Sequence, residues 1–344
     1  MTTQEHLLVE PEKIAAAAAV TLSEQLVVPN VFRREGIEQF KGSEDDTINV
    51  KVEGVLPYRT YGWRNDRSEP IVLDRYVERK LAVTFGGDIY SGVEVTDEQM
   101  TMDLDGWTKL VGKQTDAVIR GLEYEATDYV KDAPYAVNLG VDSDSVREGL
   151  IRAKQMFTKL RVPAGQRTLL VGSDWETALL TDDKLALASS VGEGEAVSAL
   201  REATLGRRYG FNIVLAPELP SDEAVAMVDS AFIFATGAPV KPRGVSFGAN
   251  ASYDGVAMLW IVDYDTMYRR DRSVVNTYKG FRHVADPLVG RDQDGQAFVS
   301  EHEHFVRAIK LTLDGTDELP DGDNSEAEAE FVAITGVGTA ATTP

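Results

Sequence analysis

Two alternating apolar segments, separated by a connection too long to be a turn, constrain this chain more than any other feature. In residues 47–53, Ile48, Val50 and Val52 alternate with Asn49, Lys51 and Glu53, the period of a half-buried strand. Further on, Leu73, Val77, Leu81, Val83 and Phe85 fall on one side of a second strand, with Asp74, Tyr76, Glu78 and Lys80 on the other. Between them lies LPYRTYGWRNDRSEP (56–70), rich in Pro, Gly, Arg and aromatic residues. Hairpin loops usually have two to five residues, so a connection of this length is predicted to be functional. A two-stranded excursion of some 40 residues cannot bury its own apolar face and needs a neighbour to cover it.

The rest of the chain is long enough to supply a core. Its 344 residues allow two or three domains, and 43% hydrophobic with 26% charged residues predicts packed structure. No cysteine is present, which excludes disulfides, thiolate metal sites and a cysteine nucleophile. The net charge of −21 opposes nucleic-acid recognition unless a local basic patch overrides it. The N-terminal apolar run follows Glu10, Glu12 and Lys13, lacks the basic start of a secretory signal and is too short to cross a bilayer. A soluble protein made inside the cell, with no membrane partner, is expected.

Residues 11–26 read as a helix that opens on Pro11. The longest helix is predicted over 96–132, opened by a Thr96/Gln99 capping box, with Leu104, Trp107, Val111, Val118, Leu122 and Ala126 at helical spacing. About 27 residues make a rod of about 40 Å. Asp132-Ala133-Pro134 ends it. A Ser145/Glu148 capping box predicts the next helix, and RTLLVG (167–172) a strand. A helix opened by Ser173 and Glu176 runs through Leu180; another, after VGEGE (191–195), reaches Leu205 and leads into the strand FNIVLA (211–216). Two helix–strand units in succession indicate an α/β layer. Residues 256–283 are strand-like. From Leu311 to Glu330 there are eight acidic and no basic residues, which predicts a solvated linker dispensable for folding, followed by a short strand at 331–336.

No catalytic signature survives scrutiny. Gly112-Lys113-Gln114 lacks the glycine and Ser/Thr of a P-loop, and Gly192-x-Gly194 ends in Val197 where a dinucleotide loop needs glycine. His302 and His304 lie on one face of a strand and could take Zn²⁺ with a third ligand, although a solvent-facing polar strand explains them more simply. Asp292-Gln293-Asp294-Gly295 lacks the remaining ligands of a calcium loop. Asp263 and Asp265 form a carboxylate pair, but 56 acidic residues make such coincidences inevitable. A serine–histidine triad would have to use His6, His283, His302 or His304, and there is no G-x-S-x-G elbow. Asn250-Ala251-Ser252 fits a glycosylation sequon without the secretory context. No catalytic residue, cofactor site or metal site is assigned.

The order of arm, long excursion, long helix, α/β region and returning strands resembles the major capsid protein of tailed bacteriophages, an α+β fold of the Hong Kong 97 type. The resemblance covers about residues 20–310. It is closest in LRVPAGQRTLLVGSDWETALLTDDKL (160–185), LREATLGRRYGFNIVLAPELP (200–220), FATGAPVKP (234–242) and WIVDYDTMYRRDRSVVNTYKGFRHV (260–284), which look like the podophage branch found also in phages of actinobacteria. It implies an N-terminal arm (1–46), an extended loop (47–95), a peripheral domain with a spine helix (96–140), an axial domain (141–254), returning peripheral strands (255–310) and an acidic tail (311–344). It further implies copies of the chain as hexamers and pentamers in an icosahedral shell, and double-stranded DNA enclosed without sequence recognition. A portal protein at one vertex belongs with this, and a decoration protein where one exists. About 46 residues precede the excursion, too few for a fused scaffold, so a separate scaffolding protein is expected. The virion, and the host cytoplasm during assembly, are the implied locations.

The residues support self-association in their own right. Residues 59–80 carry a net +2, and residues 267–283 hold five basic residues against Asp271. Local positive patches on an acidic chain suit a surface that meets other copies. The candidate contacts are Arg59, Tyr61, Trp63, Arg64 and Arg67 at the excursion tip, Arg33 and Arg34 in the arm, and Arg269, Arg270 and Arg272. Some capsids of this fold are cross-linked through a lysine at that tip. Here residues 56–70 contain none, and arginine cannot act as the amine nucleophile, so a non-covalent, salt-sensitive clamp is expected. Two alternatives stay open: an encapsulin-type shell packaging a cargo enzyme, and an enzyme using a carboxylate pair.

Overall fold

A computed structural model describes residues 11–37, 47–52, 55–60, 70–74, 76, 79–96, 104–162, 165–181, 207–245, 247–267, 270–291, 297–321 and 325–338. The chain divides into two compact units: residues 1–49, 82–130 and 232–282 form the first, and residues 50–81, 131–231 and 283–344 the second.

The first unit is a six-stranded sheet with helices packed on it. Its strands are β1 (Arg33–Ile37), β4 (Gly87–Val95), β10 (Phe232–Gly237), β11 (Phe247–Tyr253), β12 (Val256–Asp265) and β13 (Arg270–His283). The order is β1-β10-β13-β12-β11, with β4 also pairing β13. Helix α1 (Pro11–Gln25) is alanine-rich and turns Ile14, Ala15, Ala18, Ala19 and Leu22 inward against β11 and β12; the four-residue α2 (Val28–Val31) follows it. The long helix α3 (Leu104–Lys131) buries Trp107, Val111, Val118, Leu122 and Ala126, as its spacing predicts. Trp107 packs 5.8 Å from the Trp260 ring and 5.9 Å from Phe247, and Tyr129 stacks 5.8 Å from Phe281. A polar key sits within this apolar seam. The Gln114 amide donates to the carbonyls of Ser91 (3.0 Å) and Ser273 (2.8 Å), and its oxygen accepts from the Ser273 hydroxyl at 2.7 Å. The Ser273 hydroxyl in turn accepts from the Trp260 indole N–H at 3.0 Å. Every donor of a buried amide is thus used, the condition under which such a group is tolerated.

The second unit carries another six-stranded sheet, ordered β5-β16-β9-β6-β8-β7: β5 (Asn138–Val141), β6 (Arg167–Val171), β7 (Arg207–Arg208), β8 (Phe211–Leu215), β9 (Glu223–Val228) and β16 (Ala308–Leu313). β6 and β9 are buried along almost their whole length, the pattern of central strands covered on both faces. Helices α4 (Val146–Lys159) and α5 (Ser173–Thr181) pack in this unit. Gly149 lets α4 approach β5: a Cβ there would stand 2.4 Å from Val141. A separate hairpin, β14 (Asp286–Arg291) with β15 (Ala297–His304), is covered by α6 (Glu326–Thr335). At the base of the excursion β2 (Thr47–Val52) and β3 (Arg79–Thr84) pair as a two-stranded sheet, whereas residues 55–60, 70–74 and 76 are in no strand, although the alternation predicts a return strand from Leu73.

Several sequence expectations need correction. The acidic tract is no solvated linker: Leu311 is fully buried in β16, between β5 and β9. Its carboxylates cap neighbouring backbone. Asp314 accepts from the Ser143 N–H and Asp317 from the Gly140 N–H, both at 2.9 Å, and Asp317 also pairs with Arg152. Residues 331–336 are not a strand but the end of α6. The Ser325 side chain caps that helix on the Glu328 N–H at 3.2 Å, and Gly336 closes it at φ 65°. The Ser145 side chain makes no cap; a short 3₁₀ turn over Ser143–Ser145, capped by Asp142, precedes α4 instead. Residues 232–254, expected with the axial region, lie with the long helix because β10 and β11 belong to its sheet, whereas residues 283–310 lie with the second unit. The Thr96/Gln99 box, the 191–205 helix and the Asp292–Gly295 loop fall outside the described residues, wholly or in part.

Candidate assembly surface

The excursion exposes what the two sheets conceal. On its outgoing arm Val55, Leu56 and Tyr58 are exposed; on the returning arm so are Ile71 (68%), Val72 (56%), Leu73 (86%) and Tyr76. Isolated exposed apolar residues are ordinary, but a consecutive Ile-Val-Leu run facing solvent marks an interaction surface. The two arms are tied by a two-pronged ion pair, with Arg59 Nε 2.9 Å and Nη2 2.8 Å from the two oxygens of Asp74. Those hydrogen bonds, helped by the guanidinium charge, hold the Asp74 carboxyl below the usual aspartate range. Within the same unit, Arg291 sits over the Tyr58 ring at 5.2 Å, and Arg79 pairs with Glu303 and donates to the Ala285 carbonyl at 3.3 Å.

The other candidate arginines among the described residues have partners within the chain. Arg33 pairs with Glu35 at 2.9 Å, and Arg34 reaches the Ser23 hydroxyl (3.0 Å) and Asp254 (2.9 Å). Arg270 pairs with Glu94 across β13 and β4. Arg272 clasps Asp263 at 2.7 and 2.9 Å and reaches Asp265 at 3.4 Å. The supposed catalytic carboxylate pair is therefore the counter-charge of one arginine. Tyr61, Trp63, Arg64, Arg67 and Arg269 lie outside the described residues. Leu73 is on the apolar side that the alternation marks, whereas Ile71 and Val72, likewise exposed, fall outside that pattern; their hydrophobicity beside an overlong loop is the signal.

A cleft of about 500 Å³ in the second unit is walled by the end of α4, by β14 and by Ile334 of α6. Its carboxylate Asp286 is held by Arg307 at 2.7 Å. Among the described residues, no group of three or more His, Asp and Glu is placed to hold a metal ion. No described helix is long and apolar enough to cross a membrane.

The model of the phage capsid protein family matches residues 89–299. The chain belongs to that family. It is a structural phage capsid protein, and a component of the virion shell. No curated protein matches the chain. Two solved capsid chains resemble this phage capsid protein over most of their length. A chain of Mycobacterium phage Che8 is 16% identical, with 83% of this chain and 91% of that one covered and a TM-score of 0.54. A chain from the capsid of cyanophage P-SCSP1u is 11% identical, with 82% and 89% covered and a TM-score of 0.53. The fold is α+β, of the Hong Kong 97 type. In this capsid protein the family match begins in β4 and ends in β15, so the apolar arms of the excursion lie before it.

Proposed function

We propose that this capsid protein is the major shell subunit of a tailed phage, assembling as hexamers and pentamers around double-stranded DNA, with no catalytic role. The exposed run Ile71–Leu73 carries this reading. A family member whose longest loop holds its apolar side chains in water has a surface that only another copy of itself need cover. On this reading the first unit is the peripheral domain with its spine helix, the second holds the axial domain, and the β2–β3 excursion is the extended loop. Arg59, Tyr61, Trp63, Arg64 and Arg67 would form the clamp, with Arg33, Arg34, Arg269, Arg270 and Arg272 as further contacts. A separate scaffolding protein, a portal and, where one exists, a decoration protein complete the assembly. Electron microscopy of the chain expressed with and without its neighbouring genes tests this. Closed shells that package DNA, formed only in the presence of the other genes, are expected. Uniform shells from the chain alone would remove the scaffold, and particles filled with a cargo enzyme would point to an encapsulin-type compartment.

A further inference from the structure

At the junction of α6 and β15, one carboxylate accepts from two backbone N–H groups and stands beside two imidazoles. Glu330, on α6, accepts from the backbone N–H of Glu301 (2.7 Å) and of His302 (3.0 Å), and lies 3.1 Å from His302 Nδ1. His304 Nε2 is 3.9 Å from the same oxygen. His304 is buried, its ring packs 5.4 Å from that of Phe331 on α6, and its Nε2 has no hydrogen-bond partner. Glu301 and His302 lie where the β14–β15 register shifts between Pro287 and Val289, and Glu330 takes up the two N–H groups there.

We propose that α6 is an acid-released strap, which caps β15 while the buried His304 imidazole is neutral and lets go when it takes up a proton. The one carboxylate beside it, Glu330, is already engaged by two backbone N–H groups and by His302 Nδ1. A buried imidazolium 3.9 Å away is left without a counter-charge of its own, and an uncompensated buried charge is among the costliest defects a fold can carry. The surrounding charges do not supply the missing partner. On β14, Asp286 is taken by Arg307, and on β15 Glu303 is taken by Arg79. Glu301 on β15 and Glu326 on α6 are exposed to solvent, and Glu328 lies in the first turn of α6, where the helix dipole favours its charge. Arg291 lies over Tyr58, and Lys159 and Arg161 line the cleft at the far end of α6.

The sign follows from the two groups. Burial pushes the His304 imidazole below the usual histidine value, more than the Glu330 charge pulls it up. Its contribution to holding α6 is therefore complete above about pH 6.5 and falls as the pH drops below that. Burial works to raise the Glu330 carboxyl, but the two backbone N–H groups and His302 outweigh it and leave it below the usual glutamate range. Its contribution is lost only at still lower pH. Release thus begins in the histidine range, frees the two N–H groups of β15 and opens one wall of the 500 Å³ cleft.

Hydrogen exchange of the full-length protein at pH 7.5, 6.5 and 5.5, corrected for intrinsic rates, tests this. Peptides covering 326–337 and 297–304 should lose at least about tenfold in protection by pH 5.5. Peptides covering β6 and β9 should not change. His304→Gln should keep α6 protected at pH 5.5, whereas Glu330→Gln should release it already at pH 7.5. Should His304→Gln fail to fold, His302→Gln removes the ring that competes for the same Glu330 oxygen, leaves that oxygen to match the His304 imidazolium and should keep α6 protected. Release of both histidine variants at the wild-type pH would overturn the proposal. So would loss of protection throughout the molecule at once, or release by EDTA at pH 7.5, which would make the clasp a metal site.

Discussion

β9 and the returning arm of the excursion are written in the same alphabet and have opposite fates. In β9, Ala224, Val225, Ala226 and Met227 are fully buried, flanked by β16 on one side and β6 on the other. In the arm, Ile71, Val72 and Leu73 lie mostly in water. Covering a side chain of that size is worth about 1.5–3 kcal/mol, so three in a row leave several kcal/mol unrealised within one copy. Hydrophobicity alone does not say whether a strand completes its own subunit or another. What separates the two is whether the chain brings strands to both flanks: β9 lies between two, and residues 71–74 belong to no strand of the described sheets.

Breaking the inner half of the comparison should have the largest effect. Truncation after Lys310 removes Leu311 and the rest of β16 from the middle of a sheet, and should leave no soluble folded subunit. Leu311→Ala alone should cost about 2–5 kcal/mol in denaturant unfolding. A folded truncation product would show that β16 is not part of the core. Next in size, Gln114→Leu takes the acceptor from the Ser273 hydroxyl proton and a donor from each of the Ser91 and Ser273 carbonyls. It should cost about 1–3 kcal/mol by the same measurement, with no loss of assembly at a temperature where the variant stays folded.

Breaking the outer half should do the reverse. Ile71→Ser combined with Leu73→Ser should shift subunit stability by no more than about 0.5 kcal/mol, as surface substitutions do, yet abolish closed shells in electron micrographs. Trp63→Ala and Arg64→Glu should act in the same direction. Because the tip has no lysine, wild-type particles should run on a denaturing gel as one band near 37.7 kDa. A ladder of covalent oligomers would refute the non-covalent clamp.

Legibility in the sequence followed the same divide. The α3 face from Trp107 to Ala126 was readable because a 3.6-residue period survives in one dimension. The excursion was readable because a 15-residue connection between alternating strands is out of proportion. The acidic tract was misread because composition outweighed local signals: Ser325 three residues before Glu328, and Gly336 after an apolar run, mark a helix start and stop. The charges of that tract are spent on backbone N–H groups of residues 140–143, some 170 positions away in sequence, and no local pattern encodes such a distance. The pairing of Arg270 with Glu94, and of Arg272 with Asp263, was hidden for the same reason, since strand register decides it. His302 and His304 were visible as a pair, but their partner Glu330 lay in a stretch read as solvent.

The smallest effect, and the sharpest test of where the two regions part, concerns Arg59 and Asp74. This pair is the described link between the two exposed arms, and both its members face solvent. An exposed pair does little for the stability of a subunit, because water screens it and two side chains must be held still. It can nevertheless set the spacing at which Leu56 and Tyr58 on one arm stand beside Ile71–Leu73 on the other, and so the shape a neighbouring copy meets. Asp74→Asn should therefore leave the melting temperature of the free subunit unchanged while slowing assembly followed by light scattering. Wild-type protein should slow in the same way as salt rises towards about 1 M, where the screening length falls to about 3 Å, and the variant should respond less. Acid should act in a fixed direction. The Asp74 carboxyl is held low by Arg59, so the link is intact above the usual aspartate range and is lost as the pH falls through that lowered value. If Asp74→Asn lowers the melting temperature instead, the arms are braced as part of the folded subunit rather than held ready for a neighbour.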